Sequence, residues 1–366
     1  MWRLFVCIFL IVTAAAPAQG PSSDAQAVNA AYQLLQQGKL DEALKAFTDI
    51  LKAKPKEISA LMGLGTAHQR KGNLSAAIEA YRTAAAVSPE DPRIHLTLGD
   101  AYMAAQQPGN ALDAYQKAAD RMPQNSRPHL ALGDIHLRAK RYPQALASFQ
   151  RALGFEPDNA LIHSAIGQVF AEMEDWNAAI REQRAAIRLG PTLRAPRIAL
   201  LQALNSAKHY EDAYKEARFL VDANPGDLEA RSGLAIALDG LDRFTESIAE
   251  YKAILKANPN VPTIWGNLGW TEYRAGRYQD AVESSRMALK LDPNLAYVRF
   301  NIGLILAVQG DWLSAKREYE AALAVADAAD LHSARNDVED ALRKRPSSSA
   351  LQEAKRFLAT AKPAKE

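Results

Sequence analysis

The sequence predicts an all-α solenoid built from one helical hairpin repeated along the chain. Prolines at a fixed interval and small residues in register with them carry that expectation. Pro55, Pro89, Pro123, Pro157, Pro191, Pro225, Pro259 and Pro293 stand 34 residues apart. On that period the chain divides into nine repeats: 24–57, 58–91, 92–125, 126–159, 160–193, 194–227, 228–261, 262–295 and 296–329. Column twenty then reads Ala43, Ala77, Ala111, Ala145, Ala179, Ala213, Ser247, Ala281 and Ala315. Column eight holds Gly65, Gly99, Gly133, Gly167, Gly269 and Gly303, with Ala31, Leu201 and Ala235 in the remaining repeats.

Each repeat carries two runs with apolar residues three and four apart, the spacing of amphipathic helices. Small residues at columns eight and twenty let the two backbones approach. A ring at column seventeen (Tyr142, Trp176, Tyr210, Phe244, Tyr278, Trp312) fills the end of the contact. The proline stops the second helix, because the helix needs the N–H that proline lacks. Asp91 before Pro92, Asn159 and Asp227 supply caps for the following first helices. Gly38, Gly72, Gly276 and Gly310 fall in the turns between paired helices.

These columns resemble the tetratricopeptide repeat family over residues 24–329. Repeat eight follows the family pattern closely, with Trp265, Leu268, Gly269, Gly276, Tyr278, Ala281, Ala288 and Pro293 in family positions. Repeat six departs most: Leu201 replaces the small residue and Ala217 stands where a ring is usual. Repeat five has Gln183 at that ring position. The sequence therefore leads us to expect a bend or loosened seam near residues 160–227. The resemblance implies a right-handed superhelix whose concave groove is lined by the first helices. A polar cap should close its last face, and residues 330–345 fit that helix, with Val338 and Leu342 inward. Arg335, Asp337, Glu339, Asp340, Arg343 and Lys344 should face water. Residues 346–366 read as a tail holding a short helix from 350 to 361, and loose beyond it.

The ends of the chain differ in kind. Arg3 precedes an apolar run from Leu4 to Val12, and Ala16-Pro17-Ala18 has the small-x-small form of a cleavage site. Residues 1–18 are therefore expected to be an export signal, with Gln19 the new N-terminus and the mature protein periplasmic or secreted. The alternative is an uncleaved segment that tethers the chain to a membrane. The apolar stretch from Leu4 to Ala16 is short of the ~20 residues a spanning helix needs. Cys7, the single cysteine, lies in that segment, so the mature chain would have no thiolate for catalysis, zinc or disulfides.

Lys plus Arg is 44 and Asp plus Glu is 42, a net charge of +2. That balance speaks against a nucleic-acid partner, which selects for a basic excess. His95, His129 and His163 share one column. Stacked helices lie roughly 10 Å apart, too far for one zinc whose ligands sit at ~2 Å, so these are read as packing histidines. Gly63-Leu64-Gly65 lacks the third glycine and the preceding strand of a dinucleotide loop. No nucleophile elbow, zinc-binding histidine helix or phosphate loop is found. Neither a catalytic residue nor a cofactor is expected.

Two groups of groove columns stand out. Repeats three and four carry Arg93, Asp100, Arg127, Asp134 and Arg138, either a ladder of exposed ion pairs or a docking strip for a partner's charges. Repeats eight and nine carry Asn267, Trp270, Tyr273, Arg274, Tyr297, Phe300 and Asn301. Trp, Tyr and Arg dominate binding hot spots, and Asn can clamp a peptide backbone through its paired donor and acceptor. The alternative is that Trp270 and Phe300 pack against each other or the C-terminal helix. The lysine and asparagine set with which some family members hold chaperone tails is missing, since Met62, Thr66, Leu96, Asp100 and Leu130 occupy several of those columns. The function expected is an exported, non-catalytic scaffold that binds a protein or peptide partner. A regulatory or substrate-delivery subunit of an envelope enzyme, such as one acting on cell-surface polysaccharide, is the second expectation.

Overall fold

The computed structural model describes residues 23–365. The expected export signal and its cleavage point lie outside the described residues. No helix among the described residues is long and apolar enough to cross a membrane. The described residues form twenty helices and no strand.

The described residues divide into two compact blocks on either side of residue 157. The described part of the first holds α1 (Ser23–Gln36), α2 (Leu40–Ala53), α3 (Ile58–Arg70), α4 (Leu74–Val87), α5 (Pro92–Ala104), α6 (Pro108–Arg121), α7 (Ser126–Arg138) and α8 (Tyr142–Phe155). The second opens with α9 (Ala160–Glu172), α10 (Trp176–Leu189), α11 (Arg194–Ser206), α12 (Tyr210–Ala223), α13 (Leu228–Gly240) and α14 (Phe244–Ala257). It continues with α15 (Pro262–Arg274), α16 (Tyr278–Leu291), α17 (Ala296–Val308), α18 (Trp312–Leu323), α19 (Ala328–Lys344) and α20 (Ser349–Thr360).

Local chemistry sets the ends of these helices. The Asp91 side chain accepts from the Arg93 N–H at 3.0 Å, with Pro92 in the first turn of α5. Asn159 and Asp227 cap α9 and α13 in the same way, accepting at 2.9 and 3.1 Å. The α4 helix ends at Val87, two residues before Pro89, and α6 at Arg121, two before Pro123. Between paired helices the chain turns through one residue at positive φ. Gly38, Gly72, Gly276 and Gly310 do so, and so do Gln106, Lys140, Glu174, Lys208 and Asp242 in the corresponding column. Only glycine enters that region without a steric cost, and the five substituted turns offset it with backbone hydrogen bonds back to the helix end, as from Lys140 to the Leu137 carbonyl and from Arg141 to the His136 carbonyl.

Packing within several hairpins follows a size rule. A Cβ added at Gly133 would lie 2.5 Å from the Phe149 ring, and one at Gly303 would lie 2.6 Å from Tyr319. The glycine of column eight thus makes room for the ring of column twenty-four, and Phe149 and Tyr319 are wholly buried. In repeat six the sizes are exchanged: Leu201 and Ala217 occupy the two columns, both buried in one core cluster. A Cβ at Gly233 of the next repeat would lie 2.4 Å from Leu201, so glycine there makes the room. In repeat five Gln183 fills the ring's place, buried and hydrogen-bonded to Ser164 at its hydroxyl (2.9 Å) and its carbonyl (3.0 Å). One buried cluster runs from Ala179 through Leu200, Leu201 and Ala217 to Leu238. The loosened seam expected near residues 160–227 is therefore not found within this block, because volume is exchanged between columns instead of lost.

The end of the second block is closed by two helices, not one. Leu331, Ala334, Val338 and Ala341 of α19, with Leu351, Ala354 and Leu358 of α20, join Phe300, Leu304 and Tyr319 in a common core. Asp327 and Asp330 form a reciprocal capping box at the start of α19. The Arg335 guanidinium donates to the Leu358 carbonyl at 2.9 Å and the Ala361 carbonyl at 3.1 Å, so it ties α19 to α20 instead of facing water. Beyond α20 the N–H groups of Ala364 and Lys365 donate to the carbonyls of Leu323 and Ala326. The tail expected to be loose is thus hydrogen-bonded at these two residues.

Candidate functional site

Trp270 on α15, Tyr297 and Asn301 on α17, and Asp330 and Asp337 on α19 border a cleft of about 340 Å³ in the second block. Asn267, Phe300, Ser333 and Ala334 complete its lining. Three helices place these groups: α15 and α17 present successive groove columns, and α19 lies along α17 where a further repeat would otherwise stack. Five of the seven residues that the sequence singled out here line this one cleft.

Their roles differ from one another. Trp270 and Tyr297 are half-buried and leave ring surface toward the cleft. Asn301 is likewise half-buried. Phe300 is only 3% exposed, with its ring 6.2 Å from that of Tyr319. It is a floor residue: column five lies in the seam between neighbouring first helices, and α19 closes that seam. Tyr273 stands behind Trp270, their rings 5.3 Å apart, and burial with nearby Tyr278 and Asp337 pushes its hydroxyl up to about 12. Asn267 lies beside the buried Tyr251 hydroxyl.

Arg274 serves the stack, not the cleft. Its guanidinium donates to the Asp239 carbonyl at 2.9 Å and to Asp242 at 2.6 Å, pairs with the Asp239 carboxylate, and sits 5.0 Å from the Phe244 ring centre. Arg70 makes the equivalent reach in the first block, donating to the Leu35 carbonyl at 2.8 Å. An arginine at the end of a first helix therefore satisfies carbonyls that the preceding first helix leaves open at its C-terminus.

Sequence reasoning missed the two carboxylates. Asp337 was assigned to the solvent face of α19, yet it is half-buried in the cleft. Burial, reinforced by Asp340, lifts its carboxyl to about 6. The lining contains two carboxylates and no lysine or arginine. Nearby cations are otherwise engaged: Arg343 pairs with Asp340, and Arg345 donates to the Val308 carbonyl and the Tyr278 hydroxyl. The missed signal was geometric, since the rotation of α19 is set by its packing on α17 and not by a repeat column.

The charged residues of repeats three and four present a different picture. Arg127 donates to Asp100 at 2.6 Å, and the Tyr115 hydroxyl donates to the other Asp100 oxygen at 2.7 Å. Burial and this carboxylate both push the Tyr115 hydroxyl well above its ordinary value. Arg93 is turned onto its own capping residue Asp91 at 2.8 Å. Asp134 is exposed. Arg138 borders a separate, largely apolar cavity of about 530 Å³ with Met103, Leu112, Ile135 and Arg141. The structure thus joins Asp100 to Arg127 but does not gather the five into one site.

The three histidines of one column each have their own contact. A His95 ring nitrogen lies 2.7 Å from the Pro89 carbonyl, His129 stacks on Phe155 at 5.9 Å, and His163 pairs with Glu182 at 2.7 Å. Among the described residues no group of three or more His, Cys, Asp or Glu could hold a metal ion.

The fold is that of a helical-hairpin repeat protein. The chain belongs to the tetratricopeptide repeat family: one family model matches residues 28–92, 63–126, 198–262 and 233–296, and a second matches 102–169. No curated protein matches this sequence. Among solved structures, it is similar to PilW, described as a widely conserved type IV pilus biogenesis factor, with TM-score 0.50 and 16% identity over 59% of this chain and 100% of that one. PilF of Pseudomonas aeruginosa gives TM-score 0.48 and 18% identity over 57% of this chain and 95% of that one. YrrB, described as a TPR protein with an unusual peptide-binding site, gives 0.43 and 20% over 50% and 94%. At such identities the likeness is one of fold.

Proposed function

We propose that this protein is an exported, non-catalytic scaffold that holds an extended segment of a protein partner across α15, α17 and α19. The observation that carries this reading is the cleft itself. Trp270 and Tyr297 line it while only half-buried, Trp270 packed on one side against the adjacent core. Half-buried aromatic residues rimmed by polar groups are the composition of a binding hot spot. Asn301 supplies a paired amide donor and acceptor that matches a peptide backbone. Export rests on the character of residues 1–18, and an envelope or secreted complex follows as the setting.

The test is capture of partners from the native envelope fraction by the mature chain and by a Trp270→Ala, Tyr297→Ala variant. Phe300 is left in place because its removal would damage the core. The proposal expects the variant to keep its helical circular dichroism and lose the proteins that the wild type retains. Equal capture by both would overturn it.

A further inference from the structure

We propose that the cleft selects a lysine or arginine side chain of the bound segment, received between the Trp270 and Tyr297 rings and the Asp330 and Asp337 carboxylates. This rests on the groove reading above and adds the chemistry that the partner must bring. Three observations favour a cation over an apolar or acidic side chain.

The first is charge. Two carboxylates line about 340 Å³ of space with no cation among the lining residues. Three arginines near in sequence are committed elsewhere: Arg335 to carbonyls of α20 and its end, Arg343 to Asp340, and Arg345 to Val308 and Tyr278. The groups that face Asp337 are Tyr273 on α15, Tyr319 on α18, and Asp340 on its own helix. None of them is a cation.

The second is the lining rings. The negative face of an indole or phenol ring attracts a cation, most strongly where water is excluded. A lysine or arginine also has an apolar stem, and half-buried Trp270 and Tyr297 offer surface for it. The cleft therefore matches both ends of such a side chain, whereas a glutamate would meet two like charges.

The third is the cost of the empty state. Among the described residues none donates a hydrogen bond to Asp337, which is half-buried, and burial of an unpaired carboxylate disfavours its charged form. An incoming ammonium or guanidinium would supply the missing partner and hold the carboxyl ionised. Asp227, by contrast, has such a partner from within, Arg194 at 2.7 Å.

The experiment uses the mature chain and arrayed synthetic peptides of about nine residues, long enough at ~3.3 Å per residue to cross neighbouring helices. Three matched sets differ only in the central residue: lysine or arginine, its uncharged counterpart (norleucine or citrulline), or glutamate. We expect the cationic set to be retained at least about tenfold better than the uncharged set, with glutamate weakest. The Asp330→Asn, Asp337→Asn variant should bind the first two sets equally, and Trp270→Ala should bind none. Equal retention of cationic and uncharged peptides by the wild type would overturn the charge selection and leave the groove reading intact. Retention of no peptide at all would overturn both. A preference for cations that survives in the double aspartate variant would also overturn this assignment, since other residues would then supply the charge.

Discussion

The charged strip of repeats three and four and the aromatic cleft of repeats eight and nine occupy corresponding helix columns, yet they handle charge in opposite ways. In the first, Asp100 is met by Arg127 and Tyr115 from within the fold, and Arg93 is folded back onto Asp91. In the second, Asp337 is half-buried without a cationic partner. A charge whose partner is built in contributes to the stack. A charge without one carries a cost of burial until a partner meets it. What separates the two regions is therefore the partner that each charged side chain finds within the fold.

Four measurements can break or sharpen that contrast. The largest effect should come from Phe300→Ala, which removes a buried ring and leaves a cavity; stability should fall by about 3–5 kcal/mol in urea unfolding. A change near zero would return Phe300 to the cleft surface. Next, the Trp270→Ala, Tyr297→Ala variant should lose about 100-fold in affinity for any captured partner. Arg127→Ala in the strip should leave that affinity within about twofold. Equal losses at the two places would erase the distinction between them.

A smaller effect belongs to Asp337→Asn and depends on pH. The folded-state value of this carboxyl, about 6, lies above its ordinary 3.8. Between those values the folded protein binds more protons than the unfolded one, so stability falls as pH rises through the window. The asparagine variant should match the wild type near pH 3.5 and exceed it above pH 6, raising Tm by about 2–4 °C there. A variant less stable at neutral pH would mean that the carboxylate already has a partner. The smallest effect is expected for the Arg127–Asp100 pair, half of which is well exposed. A double-mutant cycle should give about 0.2–1 kcal/mol, decreasing with added salt. A coupling above about 2 kcal/mol would make this pair more than the surface contact the strip presents.

The hairpin period was legible before any coordinates, because the proline and small-residue columns answer to local rules: where a helix must stop and where two backbones must touch. Repeat six shows the limit of that reading. Leu201 and Ala217 look like two faults one at a time, but they share a core cluster and exchange size, with Gly233 making the space. Repeat eight shows the converse. Its columns follow the family pattern closely, yet its interior holds Glu272, hydrogen-bonded to Ser284 at 2.7 Å, and a buried Ser285 whose hydroxyl has no hydrogen-bond partner among the described residues. Of the candidate cleft, the rings were visible because they stand in repeat columns. Asp330 and Asp337 were not, because α19 follows the last repeat and belongs to no column.

By itself, the sequence determined the helices, their turns and the order in which hairpins follow one another, since spacing, caps and prolines act over a few residues. The tertiary structure decided which polar groups found partners within the fold. It buried Phe300, assigned Arg274 to the carbonyl and carboxylate of Asp239, and turned Asp337 into the cleft. Those outcomes depend on which side chains meet across helices some 30 to 40 residues apart, and the rotation of one helix on another is chosen by the packing of the whole interface.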